Sequence, residues 1–416
     1  MKPVQKKTQA FAIFLAVLLL AAAAQAQSAS KDRAWVGTWA ASQQTPEPRN
    51  TLDDMRDLTL RQIFHLSVGG STLRVHLSNV FGTQPLRFTA VHIAKPVSIS
   101  SAQIDPASDR ALKFSGGPDV IVPAGAEYIS DPIEYPVAAL SSVAITFYIE
   151  DAPTGETGHP GSRATSYYVH RNLVDAPDLP DAKRIEHWYQ VSGIDVLAGK
   201  KAGAIVALGD SITDGHGATT NGNDRWTDVL AERLQASPKL RNLSVLNHGI
   251  GGNHLLIDGL GPNVLSRFDR DVLVQPGVRY AIVFEGVNDL GGLTREGEVS
   301  PEAHAALVHR IIGSYEQMIA RAHTRGIRIF GATITPFVGS QYYHPPPSTD
   351  ADRQKINDWI RAPGHFDAVI DFDKVIRDPQ HPDVMLPEYD LGDHLHPSVK
   401  GYRAMGEAVP LSLFAH

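Results

Sequence analysis

Four short segments, far apart in the chain, carry the residue types that serine acyl transfer requires. They are residues 209–212 (Gly-Asp-Ser-Ile), 247–253 (Asn-His-Gly-Ile-Gly-Gly-Asn), 286–289 (Gly-Val-Asn-Asp) and 393–397 (Asp-His-Leu-His-Pro). In chain order they offer a nucleophile, two oxyanion donors, and a base with a carboxylate that can orient it. A Gly-Asp-Ser tripeptide alone is common in loops, whereas the ordered set of four is specific. The sequence therefore predicts an acyl-transfer site assembled from distant segments.

Ser211 is the candidate nucleophile, and His396 with Asp393 is the candidate pair that activates it. A serine hydroxyl is a poor nucleophile at neutral pH, so it needs a base within about 2.6–3.2 Å. Asp393 and His396 are three positions apart, so one turn directs both side chains to the same side. Taken alone, His396 could equally be a loop histidine that caps the last helix. The presence of Ser211, together with Pro397 in the turn, favours the catalytic role.

The candidate oxyanion donors are the side-chain amide of Asn288 and the backbone N–H groups of Gly252 and Ser211. Asn288 and Gly252 could each be a simple turn residue. An amide at the end of a strand is nevertheless a well-fixed donor for a developing negative charge. The neighbouring carboxylates, Asp210 and Asp289, are expected to hold the loop backbone rather than to take part in the chemistry.

The first 26 residues have the pattern of a secretory signal peptide. Lysines at positions 2, 6 and 7 precede an uncharged apolar run at residues 10–24, and residues 24–26 (Ala-Gln-Ala) fit a small-x-small cleavage rule. The apolar run is shorter than the roughly 20 residues of a membrane-spanning helix, which disfavours an uncleaved anchor. The chain has no cysteine, which excludes a thiol nucleophile and disulfides. We therefore expect a periplasmic or extracellular protein without a membrane segment after cleavage.

Charge and length limit the kinds of partner and the number of domains. Removal of residues 1–26 takes away three lysines and no acid, so the formal charge changes from −7 to −10. No basic run remains, which argues against nucleic acid or an anionic membrane as a partner. The expected partner is a small-molecule or polysaccharide ester, with no cofactor, and no feature specifies an oligomeric state. The length exceeds what one hydrophobic core usually organises, so two domains are predicted.

The first predicted domain, residues 27–199, has the pattern of an all-β structure. Apolar and polar residues alternate at 73–78 and at 143–148, as they do in strands that are buried on one face. Turns rich in Gly, Pro and Ser separate these short runs, and helical periodicity is almost absent. This pattern predicts an antiparallel β-sandwich, jelly-roll-like, that acts as an accessory domain.

The second predicted domain, residues 200–416, is an α/β domain. Its apolar runs lie at residues 204–208, 243–246, 280–284, 327–332 and 368–370, separated by helix-sized segments. Strands that alternate with helices predict a parallel sheet covered on both faces, which is a three-layer α/β/α fold. Sites in open parallel sheets form at the carboxyl ends of strands. The first three motifs follow strands directly and should meet there, and the fourth precedes the final helix.

The four segments resemble the signature blocks of the GDSL, or SGNH, hydrolases over about residues 203–409. The resemblance implies the α/β/α fold of that family and a serine esterase activity. Carried over position by position, the implied site is Ser211 (nucleophile), Gly252 and Asn288 (oxyanion donors), and Asp393 and His396 (the rest of the triad). The Gly-x-Ser-x-Gly elbow of the α/β-hydrolases is absent around Ser211, which excludes that alternative fold.

Two further segments resemble a branch of secreted esterases associated with xylan-degrading bacteria. They are residues 267–273 (Arg-Phe-Asp-Arg-Asp-Val-Leu) and 331–337 (Gly-Ala-Thr-Ile-Thr-Pro-Phe). The chain departs from the family's GDSL motif at one position, where Ile212 replaces leucine. This narrower resemblance implies hydrolysis of short-chain, acetyl-type esters on polysaccharides such as xylan. The alternatives are a lipase or arylesterase acting on lipophilic esters, and a non-catalytic carbohydrate-binding protein. A complete set of five site residues favours an enzyme.

Two local patterns leave alternatives open. Asp393, His394 and His396 are a dense group of possible metal ligands, but zinc sites need further ligands that no spacing here selects, so no metal is predicted. Tyr342 and Tyr343 precede three prolines in a long loop. They could line a substrate cleft, or the loop could pack on the N-terminal domain.

Overall fold

The computed structural model describes residues 33–45, 47–52, 54–152 and 157–415. The predicted signal peptide at residues 1–26 lies outside the described residues. In the part of the chain that is described, no helix has both the length and the apolar composition to cross a membrane.

The N-terminal domain is built from antiparallel β-sheets, as its alternating pattern predicts. Its strands are β1 (Arg33–Ala40), β2 (Leu58–His65), β3 (Gly70–Ser78), β4 (Leu86–Phe88), β5 (Ala90–Pro96), β6 (Ile104–Ala111), β7 (Val120–Val122), β8 (Glu127–Ile129), β9 (Ile133–Val137), β10 (Ser142–Ile149), β11 (Gly158–His159), β12 (Ser166–His170), β13 (Lys183–Ile185), β14 (Trp188–Tyr189) and β15 (Val191–Gly199). One large sheet has the order β1-β15-β3-β8, with β9 also paired to β3, and the other has the order β13-β12-β2-β10-β5-β6. Apolar residues of both sheets share one buried core, in which the rings of Trp39, Phe64 and Trp188 are in contact.

The first and last strands of this domain pair with each other. β1 runs antiparallel to β15, with Arg33 opposite Gly199 and Ala40 opposite Gly193. The edge strand of this sheet and its neighbour therefore come from the two ends of the domain's sequence.

The C-terminal domain has the predicted α/β/α arrangement. Its strands are β16 (Gly203–Gly209), β17 (Leu243–Gly249), β18 (Val278–Phe284), β19 (Arg328–Ala332) and β20 (Ala368–Ile370). They form one parallel sheet in the order β17-β16-β18-β19-β20. Its helices are α1 (Ser211–Asp214), α2 (Trp226–Ala236), α3 (Val264–Phe268), α4 (Val287–Thr294), α5 (Pro301–His323), α6 (Pro347–Arg361), α7 (Phe372–Ile376) and α8 (Val399–Ala408), with a π-helical turn at Asp269–Leu273 and a 3₁₀ turn at Leu411–Phe414.

β1 belongs structurally to both domains. Val36 and Ala40 of β1 are buried in the apolar core of the parallel sheet. The backbone N–H of Gly37 donates to the carbonyl oxygen of Pro276 at 2.9 Å. The hydroxyl of Ser67, after β2, accepts a hydrogen bond from the backbone N–H of Val245 in β17 at 3.1 Å. The β domain thus supports the edge of the parallel sheet directly.

Candidate active site

The structure brings Ser211, His396 and Asp393 into one hydrogen-bonded series. Ser211 Oγ lies 2.8 Å from His396 Nε2, and His396 Nδ1 lies 2.6 Å from Asp393 Oδ2. Burial raises the pKa of Asp393, but the hydrogen bonds from His396 outweigh it and hold that pKa well below its usual range. The ionised carboxylate keeps the ring proton on Nδ1, so Nε2 is free to accept the proton of the serine.

The short helix α1 fixes the position of Ser211. It begins at Ser211, directly after β16, and the side chain of Asp210 accepts the N–H of Ile212 at 2.9 Å as its N-cap. It ends at Gly215, which has a φ of 97°. Asp210 therefore holds backbone, as the sequence predicts, and the serine stands at the carboxyl end of a buried strand.

The predicted oxyanion donors lie at the same edge of the sheet. β17 and β18 flank β16, with Gly249 and Phe284 opposite Gly209, so the loops after these strands are neighbours. Gly252 lies in the loop after β17 and has a φ of 67°, a conformation that glycine adopts without steric cost. Asn288 lies in the first turn of α4, after β18.

The side-chain amide of Asn288 is held at both ends. Its Nδ2 donates to the carbonyl oxygen of Asn253 at 2.7 Å, and its Oδ1 accepts from the hydroxyl of Tyr343 at 2.6 Å. Asp289, the next residue, accepts the backbone N–H groups of Leu255 and Leu256 at 2.8 and 3.1 Å. The loop that carries Gly252 is therefore tied to the helix that carries Asn288.

A buried arginine, Arg267, connects these loops by hydrogen bonds. Arg267 donates to the carbonyl oxygens of Gly209 at 3.0 Å and His248 at 2.7 Å, and twice to Asn253 Oδ1 at 3.1 and 2.8 Å. It also pairs with Asp271 at 2.9 Å, and its side chain is fully buried. Arg267 thus connects the end of the nucleophile strand to the residue that holds the amide of Asn288. In the sequence, residues 267–273 stand out only by their resemblance to the secreted esterases, and no pattern predicts that Arg267 holds these loops.

Ser42 of the β domain completes this buried network. Its hydroxyl lies 2.8 Å from Asp271 Oδ2, accepts from Arg267 at 2.8 Å, and lies 3.0 Å from His248 Nδ1. Burial raises the pKa of Asp271, but the cations of Arg270 and Arg267 and the neighbouring His248 outweigh it and hold the pKa well below its usual range. A residue more than 200 positions away in sequence therefore helps to hold the loops of the site.

The β domain also contacts the neighbour of the candidate base. The ring of His216 packs on the ring of His396, with centroids 4.1 Å apart, and burial together with His396 lowers the pKa of His216 to about 4. Arg163 of the β domain places Nη2 3.3 Å from His216 Nδ1. Sequence reasoning missed both residues, because neither belongs to a motif.

The group of possible metal ligands differs from the one that the sequence suggests. His394 is exposed and its Nδ1 lies 2.6 Å from Asp390 Oδ2, apart from the Asp393–His396 pair. Instead, His216, Asp393 and His396 place candidate ligand atoms within 4.8 Å of one another. Both ring nitrogens of His396 are already engaged with Ser211 and Asp393, so this group matches the relay rather than an ion site.

Acidic side chains are buried beneath the site. Burial raises the pKa of Asp210 to about 7, and burial together with Asp210 raises the pKa of Glu285 well above its usual range. Folding therefore favours the neutral form of Glu285 relative to the unfolded chain.

Comparisons with known proteins cover the C-terminal half of the chain. Residues 207–404 match the family model described as the GDSL-like Lipase/Acylhydrolase family. The comparison with curated proteins returned no match. A lipolytic protein of the G-D-S-L family from Desulfitobacterium hafniense is 25% identical, with a TM-score of 0.37 over 49% of this chain and 96% of that chain. A lipase/acylhydrolase from Enterococcus faecalis is 22% identical, with a TM-score of 0.38 over 50% and 93%. An acetyl xylan esterase from Geobacillus stearothermophilus is 19% identical, with a TM-score of 0.36 over 50% and 94%.

Proposed function

We propose, from the membership of residues 207–404 in the GDSL-like lipase/acylhydrolase family, that Ser211, His396 and Asp393 are the catalytic triad of this carboxylic ester hydrolase. The observation that carries the assignment is the pair of distances in the relay, 2.8 Å from serine to ring and 2.6 Å from ring to carboxylate. Both lie within the range that proton transfer requires.

The proposed reaction proceeds through an acyl-enzyme. Ser211 Oγ attacks the ester carbonyl while His396 Nε2 takes its proton, and Asp393 stabilises the imidazolium that forms. The negative oxygen of the tetrahedral intermediate accepts from the N–H groups of Ser211 and Gly252 and from Asn288 Nδ2. His396 then protonates the departing alcohol. Water repeats the same steps on the acyl-enzyme and releases the acid.

A short acyl group, acetyl above all, is the proposed substrate feature. The support for a small acyl group is the resemblance of residues 267–273 and 331–337 to secreted, xylan-associated esterases. The signal-peptide pattern supports action outside the cytoplasm, where acetylated polysaccharides such as xylan are accessible. Arg163 of the β domain, close to the base, makes that domain a candidate platform for a polymer.

A second candidate, hydrolysis of lipophilic or aryl esters, is favoured by exposed apolar side chains near the site. Leu260 is 40% exposed and packs beside Gly252. Leu391 is 41% exposed and lies shortly before Asp393, the proposed triad acid, in the chain. Tyr342 is 55% exposed and contacts the ring of Tyr343. Such a rim would bind an apolar leaving group or a long acyl chain.

A panel of esters separates the two candidates. We expect p-nitrophenyl acetate to be hydrolysed with a higher kcat/KM than esters longer than about eight carbons, and acetylated xylan to release acetate. One additional methylene that fits a binding pocket poorly or well can change kcat/KM by about 10-fold or more, so the panel separates chain lengths clearly. Ser211→Ala is the matched blank for every substrate. A maximum at long chains, or no acetate from the polymer, would replace the first candidate by the second.

A further inference from the structure

Tyr343 lies against the oxyanion side of the site although it belongs to no motif. Its side chain is 4% exposed, and its hydroxyl contacts Asn288 Oδ1 at 2.6 Å. Burial raises the pKa of Tyr343 above its usual range, so the phenol keeps its proton at neutral pH. A protonated phenol is a permanent donor toward the amide oxygen.

The two partners of Asn288 together select one orientation of its amide. The carbonyl oxygen of Asn253 can only accept, so the amide nitrogen must face it, and this places Oδ1 at the hydroxyl of Tyr343. If the amide were flipped, two oxygen atoms would face each other at Asn253. The nitrogen carries two protons and one is used by Asn253. The other remains for an oxyanion.

The packing around Tyr343 keeps its hydroxyl in place. A Cβ atom at Gly291 of α4 would lie 2.3 Å from the ring, so the absence of a side chain there lets the ring lie against the helix that carries Asn288. The rings of Phe337 and Tyr342 contact Tyr343 from the loop side, with centroids 6.2 and 4.7 Å away. The hydroxyl is thus held by a rigid environment rather than by its own hydrogen bond.

We propose that Tyr343 is a positioning residue that fixes the side-chain amide of Asn288 so that one N–H points at the oxyanion. This inference rests on the proposed function, in which Asn288 is an oxyanion donor. Tyr343 acts only through Asn288 and touches no reacting atom. Its loss should therefore weaken transition-state stabilisation and leave ground-state binding nearly unchanged.

The test is a double-mutant cycle between Tyr343→Phe and Asn288→Ala, measured on p-nitrophenyl acetate. Loss of an oxyanion donor lowers kcat by about 10²–10³-fold, and we expect that for Asn288→Ala. Tyr343→Phe should lower kcat by about 10-fold or more with KM within about 3-fold, since the donor remains but is less well oriented. The double variant should match Asn288→Ala within about 2-fold.

Two controls separate positioning from general damage. Tyr189→Phe removes the hydroxyl of a comparably buried tyrosine in the β domain, where it donates to the carbonyl oxygen of Asn50 at 2.7 Å, and should keep wild-type kcat. Titration with a serine-directed phosphonate counts competent sites, so kcat refers to folded protein in every variant. Tyr343→Phe leaves one buried acceptor, Asn288 Oδ1, without its donor, a loss that a folded domain tolerates.

The outcomes are distinct. If Asn288→Ala loses kcat but Tyr343→Phe does not, or if the two losses multiply in the double variant, the positioning role is wrong while the proposed function stands. A change in KM alone for Tyr343→Phe also overturns it. If Asn288→Ala keeps wild-type kcat, the oxyanion role in the proposed function fails, and the inference fails with it.

Discussion

Replacement of Arg267 by lysine should damage catalysis more than it damages folding. The lysine keeps the positive charge, but its single ammonium group cannot replace Nη1, which pairs with Asp271, and also Nε and Nη2, which donate to Asn253, so we expect it to pair with Asp271. The carbonyl oxygen of Gly209 keeps the N–H of Ile250 as a donor at 3.0 Å, whereas Asn253 Oδ1 loses both hydrogen bonds from Arg267. One buried acceptor without a donor costs about 1–3 kcal/mol of unfolding free energy.

The catalytic effect follows from what Asn253 holds. Its carbonyl oxygen fixes the amide of Asn288, so a shift of this loop moves the proposed oxyanion donor. A displacement of about 1 Å can cost about 10²-fold in rate, and we expect kcat of Arg267→Lys to fall by about 10–100-fold. The assay is hydrolysis of p-nitrophenyl acetate per phosphonate-titrated site, at least about 10 °C below the melting temperature of the variant.

Arg61→Lys is the matched control for that experiment. Arg61 is also fully buried and donates to the main-chain carbonyl oxygens of Ala102 and Ala176, but it lies in the β domain. Its lysine variant should lose comparable stability and keep kcat within about 2-fold, because no site loop depends on it. Equal losses of kcat in the two variants, or wild-type kcat in Arg267→Lys, would refute the reasoning.

Four further outcomes are expected. Ser211→Ala should abolish hydrolysis with an unchanged melting temperature, and a phosphonate should label Ser211 in the wild type; label elsewhere would contradict the assignment. Because the folded-state pKa of Glu285 is raised, the native state binds one more proton than the unfolded state, and the free energy of unfolding falls as pH rises above about 4.3. Urea unfolding should therefore show Glu285→Gln to be more stable than wild type at pH 8 and equal to it near pH 4. Parallel stability curves would show that the pKa of Glu285 is the same in the folded and unfolded states and would contradict the shift. Exhaustive chelation should leave the rate unchanged, and a loss restored by zinc would assign metal chemistry to the site. Deletion of residues 27–199 should give no folded esterase, as judged by circular dichroism, since Val36 and Ala40 complete the core of the parallel sheet.

The regular elements and the relay are the parts that the sequence predicts well. The runs that alternate apolar and polar residues form antiparallel strands, and each apolar run of the second half forms a parallel strand. Both are predictable, because alternation indicates a strand buried on one face and a continuous apolar run indicates a strand buried on both faces. The contact between Asp393 and His396 is predictable, because residues three positions apart on one turn project their side chains to the same side. The contact between Ser211 and His396 follows from the family resemblance, and in the structure Ser211 Oγ lies 2.8 Å from His396 Nε2.

The supports of the site were not predictable in the same way. For Tyr343 the sequence leaves a cleft or the β domain as alternatives, and the structure places its ring against α4 with the hydroxyl on Asn288. Ser42 and Arg163 are polar residues of β-domain loops, and no periodicity indicates that they reach the second domain. Such contacts depend on how two folded domains dock, which local patterns do not encode.

The pairing of β1 with β15 also sets an order of events during synthesis. Ribosomes add about 5–20 residues per second, so β1 waits roughly 10–30 s before its partner at Val191–Gly199 has been made. Throughout that time β1 lacks its partner strand, and Trp39 lacks the ring of Trp188. An unpaired, apolar edge is a target for association with other chains, so newly made protein is most vulnerable before the β domain is complete. Slowing translation between residues 100 and 190 should therefore lower the soluble yield, and a holdase chaperone should restore it.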